Sequence, residues 1–161
     1  MFTGGEVGAV FGRLGITDVV TVPDSTIGQW ETGIEASGIR LVRVCREGEA
    51  WGVAAGLHLG GRRPLVMIQC TGFFESGDAL RNILHDWKLP IPVVIGYRSY
   101  LNQDTLPGDT CLVFTEPLAA AWRLDSLLVT ERSQLDDAER HLGRCLAAGV
   151  SGAVIVAEGK A

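Results

Sequence analysis

Apolar residues recur along this chain at two spacings, one typical of buried strands and the other typical of helices. Short apolar runs predict strands at 18–23, 41–45, 64–70, 92–97, 126–130 and 153–157. The stretches between them predict helices at 5–14, 27–37, 48–60, 75–86, 117–122 and 132–147. Because strands and helices alternate throughout, the pattern favours a three-layer α/β/α fold with a six-stranded, mostly parallel sheet.

Residues 98–116 lose this periodicity, and the pattern predicts a long loop there. The stretch contains Asn102, Asp104, Pro107 and Asp109, which are residue types that favour turns. Loops of that length inside compact domains are often functional. We therefore expect residues 98–116 to contribute to a site.

Four segments follow the first four predicted strands, at 23–26, at 46–47, at 70–74 and at Arg98. Three of the four bring polar or charged groups directly after an apolar strand. In an open parallel sheet, ligands bind in the crevice at the carboxyl ends of the strands. The topology therefore predicts that these four segments lie together at one edge of the sheet.

The second of these segments places acidic residues at the head of a helix rich in alanine and glycine. Glu47 and Glu49 fall in its first turn, where the helix dipole favours negative charge. Small residues let backbone pack closely around such a carboxylate, which suits a strong hydrogen bond to a buried ligand. The alternative is that both glutamates only stabilise the start of the helix.

Length and charge narrow the class of protein. A chain of 161 residues can form one well-cored domain, so residues 1–161 are predicted to be a single domain. The net charge is −5 and no basic run is present, which argues against nucleic acid or an anionic membrane as a partner. No apolar stretch reaches the roughly 18 residues of a membrane span.

The cysteines and the amino terminus suggest a compartment. Cys45, Cys70, Cys111 and Cys145 are far apart and form no Cys-x-x-Cys pair. Because Cys45 and Cys70 end apolar strands, free, buried thiols are expected rather than disulfides or metal ligands. The first residues lack the basic start and apolar core of a signal peptide. These features predict a protein of the reducing cytoplasm.

Three motifs in order resemble a known family. They are VPDST at 22–26, REGEAWGVAAGLHLGGRRPLVMIQCTG at 46–72 and LPIPVVIGYRS at 89–99. Together they resemble the pyrimidine-binding (Pyr) domain of thiamine diphosphate enzymes, over about residues 5–100. Within that family, the motifs are similar to those of the alpha subunit of sulfopyruvate decarboxylase and of the N-terminal domain of phosphonopyruvate decarboxylase. The resemblance implies the thiamine diphosphate-binding fold.

The resemblance also implies roles for individual residues. Glu47 would be the catalytic residue, hydrogen-bonded to N1′ of the cofactor's aminopyrimidine ring, and Glu49 would be a bystander. Further cofactor contacts would come from Gln69, Thr71, Gly72 and Phe73. Substrate contacts would come from Asp24, Ser25 and Arg98.

Ordinary structural roles compete with several of these assignments. Asp24 and Ser25 can form a turn and cap a helix, Gln69 can be a satisfied polar group at a strand end, and Arg98 can pair with a carboxylate. The sequence also departs from the family pattern at 70–75 and in the loop after Arg98. Those departures leave the substrate open.

A second half of the active site is expected on another chain. The sequence has no Gly-Asp-Gly followed by a spaced Asn, the motif by which the family holds Mg²⁺ and the diphosphate. The resemblance therefore implies a separate beta-type, diphosphate-binding subunit and an α₂β₂ or larger assembly.

The function predicted in this way is the alpha-type subunit of a thiamine diphosphate-dependent 2-oxo acid decarboxylase, a lyase. One alternative is a carboligase subunit like that of acetolactate synthase. Another is a non-catalytic doubly wound binding module. A dinucleotide-binding enzyme is disfavoured, because no Gly-x-Gly-x-x-Gly follows the first strand.

Overall fold

A computed structural model describes residues 2–159 of the chain. Within that range six strands form one sheet, in the order β2-β1-β3-β4-β6-β5, and every neighbouring pair is parallel. The strands are β1 (Asp18–Thr21), β2 (Arg40–Arg43), β3 (Pro64–Gln69), β4 (Val93–Tyr97), β5 (Asp125–Val129) and β6 (Gly152–Ala157). The mostly parallel sheet predicted from the sequence is therefore confirmed, and it is wholly parallel.

Six α-helices connect the strands of the described range. They are α1 (Gly4–Arg13), α2 (Glu31–Ala36), α3 (Glu47–Leu59), α4 (Cys70–Arg81), α5 (Cys111–Ala121) and α6 (Leu135–Ala147). Short 3₁₀ turns occur at Ile27–Trp30, Tyr100–Asn102 and Arg132–Gln134, and a π-helical turn at Asn82–Asp86 continues α4. None of the helices in residues 2–159 has the length and apolar character needed to cross a membrane.

The helices cover both faces of the sheet. Helices α1, α2 and α6 bury residues such as Phe11, Ile34 and Leu142 on one face. Helices α3, α4 and α5 bury residues such as Trp51 and Phe73 on the other. Two hydrophobic cores therefore sandwich the sheet, which confirms the three-layer α/β/α prediction.

The central strands explain the continuous apolar runs in the sequence. All six residues of β6 and the first five of β3 are buried, because helices pack on both faces of these strands. Strand β2 lies at the sheet edge, and its outer residues Arg40 and Arg43 are exposed. Charged side chains on an edge strand hinder pairing with another chain.

Two helix starts differ from the sequence prediction. Helix α4 begins at Cys70, directly after β3, whereas residues 70–74 were predicted to precede the helix. Helix α5 begins at Cys111, so the predicted loop over 98–116 is wrong for its last six residues. The start of α5 is capped by Asp109, whose carboxylate accepts a hydrogen bond from Cys111 N at 3.0 Å. Pro117 lies inside α5 and does not begin it.

The cysteine expectation holds for three positions and fails for one. All four thiols are free, and Cys70, Cys111 and Cys145 are buried. Cys45 is exposed, contrary to the expectation, because it follows the edge strand β2 and not a central strand.

Candidate functional site

The sheet has two places where the direction of winding changes. From β1 the chain passes to the edge strand β2, while from the neighbouring β3 it passes towards β4. Strands β4 and β6 are also neighbours. From β4 the chain passes to the outer strand β5 and then returns to β6, between them. Crevices at the carboxyl ends of strands open at such points, and these are where open α/β sheets bind ligands.

A hydrogen-bond network crosses the crevice between β1 and β3. The Asp24 carboxylate accepts hydrogen bonds from Thr26 N at 2.7 Å and Ile27 N at 2.9 Å. Its second oxygen accepts from Gln69 Nε2 at 2.8 Å. Thr71 Oγ1 donates in turn to Gln69 Oε1 at 3.0 Å. The network fixes both the loop after β1 and the orientation of the Gln69 amide.

Glu47 begins α3 beside this network and is half-buried. Its side chain lies directly on the backbone of Gly72 in α4, and a Cβ atom at position 72 would overlap Cγ and Oε1 of Glu47. No residue of the described range 2–159 makes a hydrogen bond to the Glu47 carboxylate. The structure therefore brings Glu47 and Gly72, two of the predicted cofactor residues, into contact and leaves the carboxylate able to accept a ligand.

The two other carboxylates at this helix start already have partners. Glu75 accepts hydrogen bonds from Gly48 N at 2.8 Å and Arg46 Nε at 3.1 Å. The Gly48 N–H, followed by Arg46, lowers the pKa of Glu75 below its usual value. Glu49 accepts from Cys45 N at 3.1 Å. Glu47 is thus distinguished from its neighbours by its lack of a hydrogen bond.

The predicted substrate residues Ser25 and Arg98 line a second part of the edge. Both are exposed and border an open cleft of about 560 Å³. Arg98 Nε lies 3.3 Å from Asp109 Oδ2, an oxygen that also accepts from Ser99 Oγ at 2.6 Å. Ser99 and the Cys111 N–H, together with Arg98, lower the pKa of Asp109.

Glu158 lies at the same cleft and was missed from the sequence. It follows β6 directly, is only 6% exposed, and its Oε1 atom is buried without a hydrogen bond among residues 2–159. Burial, together with the charge of Asp24, raises the pKa of Glu158 to about 7. The rule that placed polar residues after the first four strands, applied to the last strand as well, would have found it.

Phe73 lies apart from the other predicted residues. Its ring is fully buried in the core beneath α4, whereas Phe74 is half-buried, with the two ring centroids 6.5 Å apart. The contact of Phe73 with a cofactor remains a prediction. The structure gives Phe73 a role in packing α4 against the sheet.

A group of ligand-type side chains lies at the opposite edge of the sheet. Asp125, His141 and Cys145 place potential donor atoms within 4.8 Å of one another. However, His141 Nε2 is 3.1 Å from the carbonyl oxygen of Asp125, and Arg144 Nη2 donates to Asp125 Oδ2 at 2.9 Å. These contacts tie α6 to the start of β5 and give the group a structural role.

The fold and the edge residues together define an open parallel α/β domain with a carboxylate site at the carboxyl ends of its strands. No family model matches the chain. It is 34% identical over 65 residues to the sulfopyruvate decarboxylase subunit alpha of Methanococcus maripaludis, an alignment covering 40% of this chain and 39% of the relative. With the corresponding subunit of Methanothermobacter thermautotrophicus, identity is 31% over 85 residues, covering 52% of each chain.

A phosphonopyruvate decarboxylase from Streptomyces viridochromogenes is 34% identical over 86 residues, covering 53% of this chain and 22% of that protein. The chain thus spans about half or less of the length of these curated relatives. The resemblance to sulfopyruvate and phosphonopyruvate decarboxylases predicted from the motifs is confirmed.

Proposed function

We propose that this chain is the alpha-type subunit of a thiamine diphosphate-dependent 2-oxo acid decarboxylase, with residues 1–161 forming one Pyr domain. The observation that carries the proposal is the Glu47 carboxylate, which lies against Gly72 without a hydrogen bond from residues 2–159. The names of the relatives, sulfopyruvate decarboxylase subunit alpha and phosphonopyruvate decarboxylase, support the same class of reaction.

The residues at this edge fit the aminopyrimidine end of the cofactor. A bound ring nitrogen would give Glu47 the hydrogen-bond partner that it lacks, and the missing side chain at Gly72 makes room for the Glu47 side chain itself. When bound, thiamine diphosphate supplies the electron sink for loss of CO₂ from a 2-oxo acid.

Each residue of this chain then has a defined task. Glu47 holds a proton at pyrimidine N1′, and its position at the start of α3 keeps it oriented. Gln69 and Thr71 present a fixed pair of polar groups at the ring edge, because their own hydrogen bond sets the amide orientation. Asp24 holds the loop that carries Ser25.

The substrate proposed is a small 2-oxo acid with a second acidic group. The printed names of the relatives include sulfopyruvate and phosphonopyruvate, and both acids carry such a group. The guanidinium group of Arg98, at the rim of the 560 Å³ cleft, can pair with it. Ser25 adds a hydroxyl group to the lining of the same cleft.

A separate beta-type subunit would complete the site by holding Mg²⁺ and the diphosphate, in an α₂β₂ or larger assembly. The name "subunit alpha" of the relatives supports a split enzyme. Exposed apolar side chains after β4 also support a partner. Leu101, Leu106, Val113 and Phe114 are 48%, 50%, 57% and 54% exposed, and Leu106 borders the cleft. Exposed apolar side chains of this size are common at interfaces.

The proposal is tested by reconstitution. The chain is combined with a candidate beta-type protein, thiamine diphosphate and Mg²⁺, and CO₂ and aldehyde release from sulfopyruvate are measured. The Glu47→Gln variant is expected to lose about a hundredfold or more in turnover, because an amide cannot exchange a proton with N1′. Glu49→Gln is the matched control and keeps most activity. Full turnover by Glu47→Gln, or by the chain without any partner, contradicts the proposal.

A further inference from the structure

The carboxyl group of Glu158 lies between the carboxyl ends of β4 and β6, at the second of the two places where the direction of winding changes. The backbone of Glu158 extends the pairing of β6 with β4, since Glu158 N donates to Tyr97 O at 3.0 Å. The Glu158 carbonyl accepts a hydrogen bond from Leu101 N at 2.9 Å. The side chain folds over Gly96 of β4, where a Cβ atom would overlap Oε1 and lie 2.8 Å from Cδ. Gly96 therefore provides the space that this carboxyl group occupies.

The charged groups around Glu158 favour its neutral form. From the loop after β1 it faces Asp24, which is a like charge. That carboxylate accepts three N–H hydrogen bonds of its own, from Thr26 N, Ile27 N and Gln69 Nε2. Arg98, after β4, lies at the same cleft, but Asp109 holds it in an ion pair. Burial and Asp24 thus outweigh the hydroxyl of Thr26, and the pKa rises to about 7.

The cleft beside Glu158 is lined by groups that bind small anions. Besides Glu158 and Arg98 it presents hydroxyl and amide side chains. These are Ser25, Thr26, Gln29, Ser99, Asn102 and Thr105. A volume of about 560 Å³ is in the range of small-molecule sites. A buried acid without a hydrogen bond for Oε1, at the wall of such a cleft, is a group that a ligand could satisfy.

We propose that Glu158, as a neutral acid, determines substrate specificity by donating a hydrogen bond to the second acidic group of the substrate, whose charge Arg98 balances. The inference rests on the proposed function, because it takes the ligand to be the 2-oxo acid of that reaction. An ionised Glu158 would repel the same anion. Binding is therefore complete below the pKa of the free protein and weakens as pH rises through it. Between these limits, binding of the anion is accompanied by proton uptake.

The test is calorimetric binding of sulfopyruvate, sulfoacetate and pyruvate to the purified chain, at about pH 6 and about pH 8.5. For the two sulfonates, wild-type affinity is expected to fall about tenfold or more between these pH values, because most Glu158 ionises. Near pH 7.5, titrations in buffers of different ionisation heat should detect the uptake of protons. Pyruvate, which has no second acidic group, should bind weakly and with little dependence on pH.

Three variants make the result specific. Glu158→Gln keeps a hydrogen-bond donor but cannot ionise. Its affinity for the two sulfonates should therefore equal the wild-type value at pH 6 and remain unchanged up to pH 8.5. Glu158→Leu should bind weakly at both pH values, and thermal unfolding shows whether it is folded. Glu116→Gln, which changes an exposed carboxylate on α5, should behave like wild type. Unchanged pH dependence in Glu158→Gln, or no sulfonate binding at pH 6, overturns the inference.

The outcome also separates this inference from the proposed function. If both sulfonates bind with proton uptake that Glu158→Gln abolishes, but no reconstituted complex decarboxylates sulfopyruvate, the role of Glu158 stands and the decarboxylase proposal fails. If turnover occurs and Glu158→Gln leaves the pH dependence of KM unchanged, the decarboxylase proposal stands and the role of Glu158 fails.

Discussion

Gly72 on α4 and Glu47 on α3 occupy complementary space: the carboxylate side chain fills the volume in which a side chain at position 72 would lie. This contact joins the starts of two helices that follow two different strands, β2 and β3. A helical glycine is less stable than alanine by about 1 kcal/mol, so its presence here is better explained by the position of Glu47 than by the helix.

The first prediction concerns the Gly72→Ala variant. Its added methyl group should displace the Glu47 side chain and lower turnover of the reconstituted enzyme by about a hundredfold, since small misplacements of a catalytic group have effects of that size. Its free energy of unfolding should change by less than about 1 kcal/mol, because alanine favours the helix. Steady-state kinetics and urea unfolding measure the two effects.

The control for this variant is Gly52→Ala. Gly52 also lies in a helix, α3, but a Cβ atom there would meet nothing within 4 Å. It should show the gain in helix stability with unchanged turnover. Equal activity of the two variants would show that the Gly72 contact does not position Glu47.

The second prediction concerns the bond between Gln69 and Asp24. Gln69→Leu removes one of three donors to the Asp24 carboxylate and should lower the free energy of unfolding by about 2 kcal/mol. The amides of Thr26 and Ile27, which donate to the same carboxylate, should exchange hydrogen faster. Hydrogen-exchange mass spectrometry detects the change. Thr71→Val leaves the bonds to Asp24 in place, so the same amides should exchange as slowly as in the wild type. Faster exchange in Thr71→Val than in Gln69→Leu would contradict the network.

The third prediction concerns Glu75, which caps α3 from the neighbouring helix. Glu75→Ala leaves Gly48 N without its acceptor and should destabilise the protein by about 1 kcal/mol. Because the folded-state pKa of Glu75 lies below its ordinary value of 4.5, its contribution is present above that pH and is lost as pH falls through the folded-state pKa. The stability difference between wild type and variant, measured by urea unfolding, should therefore shrink under acid conditions. A difference independent of pH would contradict this role.

The fold was predictable because strands buried on both faces read as continuous apolar runs, as in β3 and β6. The starts of α4 and α5 were less predictable from the sequence. For α5, however, Asp109 is a residue type that often caps a helix, and it accepts a hydrogen bond from Cys111 N. The position at a helix start pointed to Glu47 and Glu49 alike, and the resemblance to the family favoured Glu47; its role stays a prediction. Glu158 was not found from the sequence, because its burial depends on Gly96, a residue far away in sequence that only the pairing of β4 with β6 brings near.

The final prediction concerns Asp18, at the edge of the sheet opposite the site. Asp18 is fully buried, and it accepts hydrogen bonds from Arg40 Nε at 2.5 Å, Arg62 Nε at 2.8 Å and Thr17 Oγ1 at 2.6 Å. Burial acts to raise its pKa, but the hydrogen bonds from Arg62, Thr17 and Arg40 outweigh burial, so the pKa lies below the ordinary value of 3.8.

Asp18→Asn weakens the hydrogen bonds from two half-exposed arginines and should lower the free energy of unfolding by about 2 kcal/mol at neutral pH, the size typical of hydrogen bonds to a charged group. The loss should diminish as pH falls through the lowered pKa, where wild-type Asp18 is itself protonated. Turnover of the folded variant should match wild type, because this cluster lies at the amino ends of β1 and β3, away from Glu47. Urea unfolding across a pH series, with Arg43→Gln as the exposed-pair control, checks the prediction; equal stability of Asp18→Asn and wild type at neutral pH would refute it.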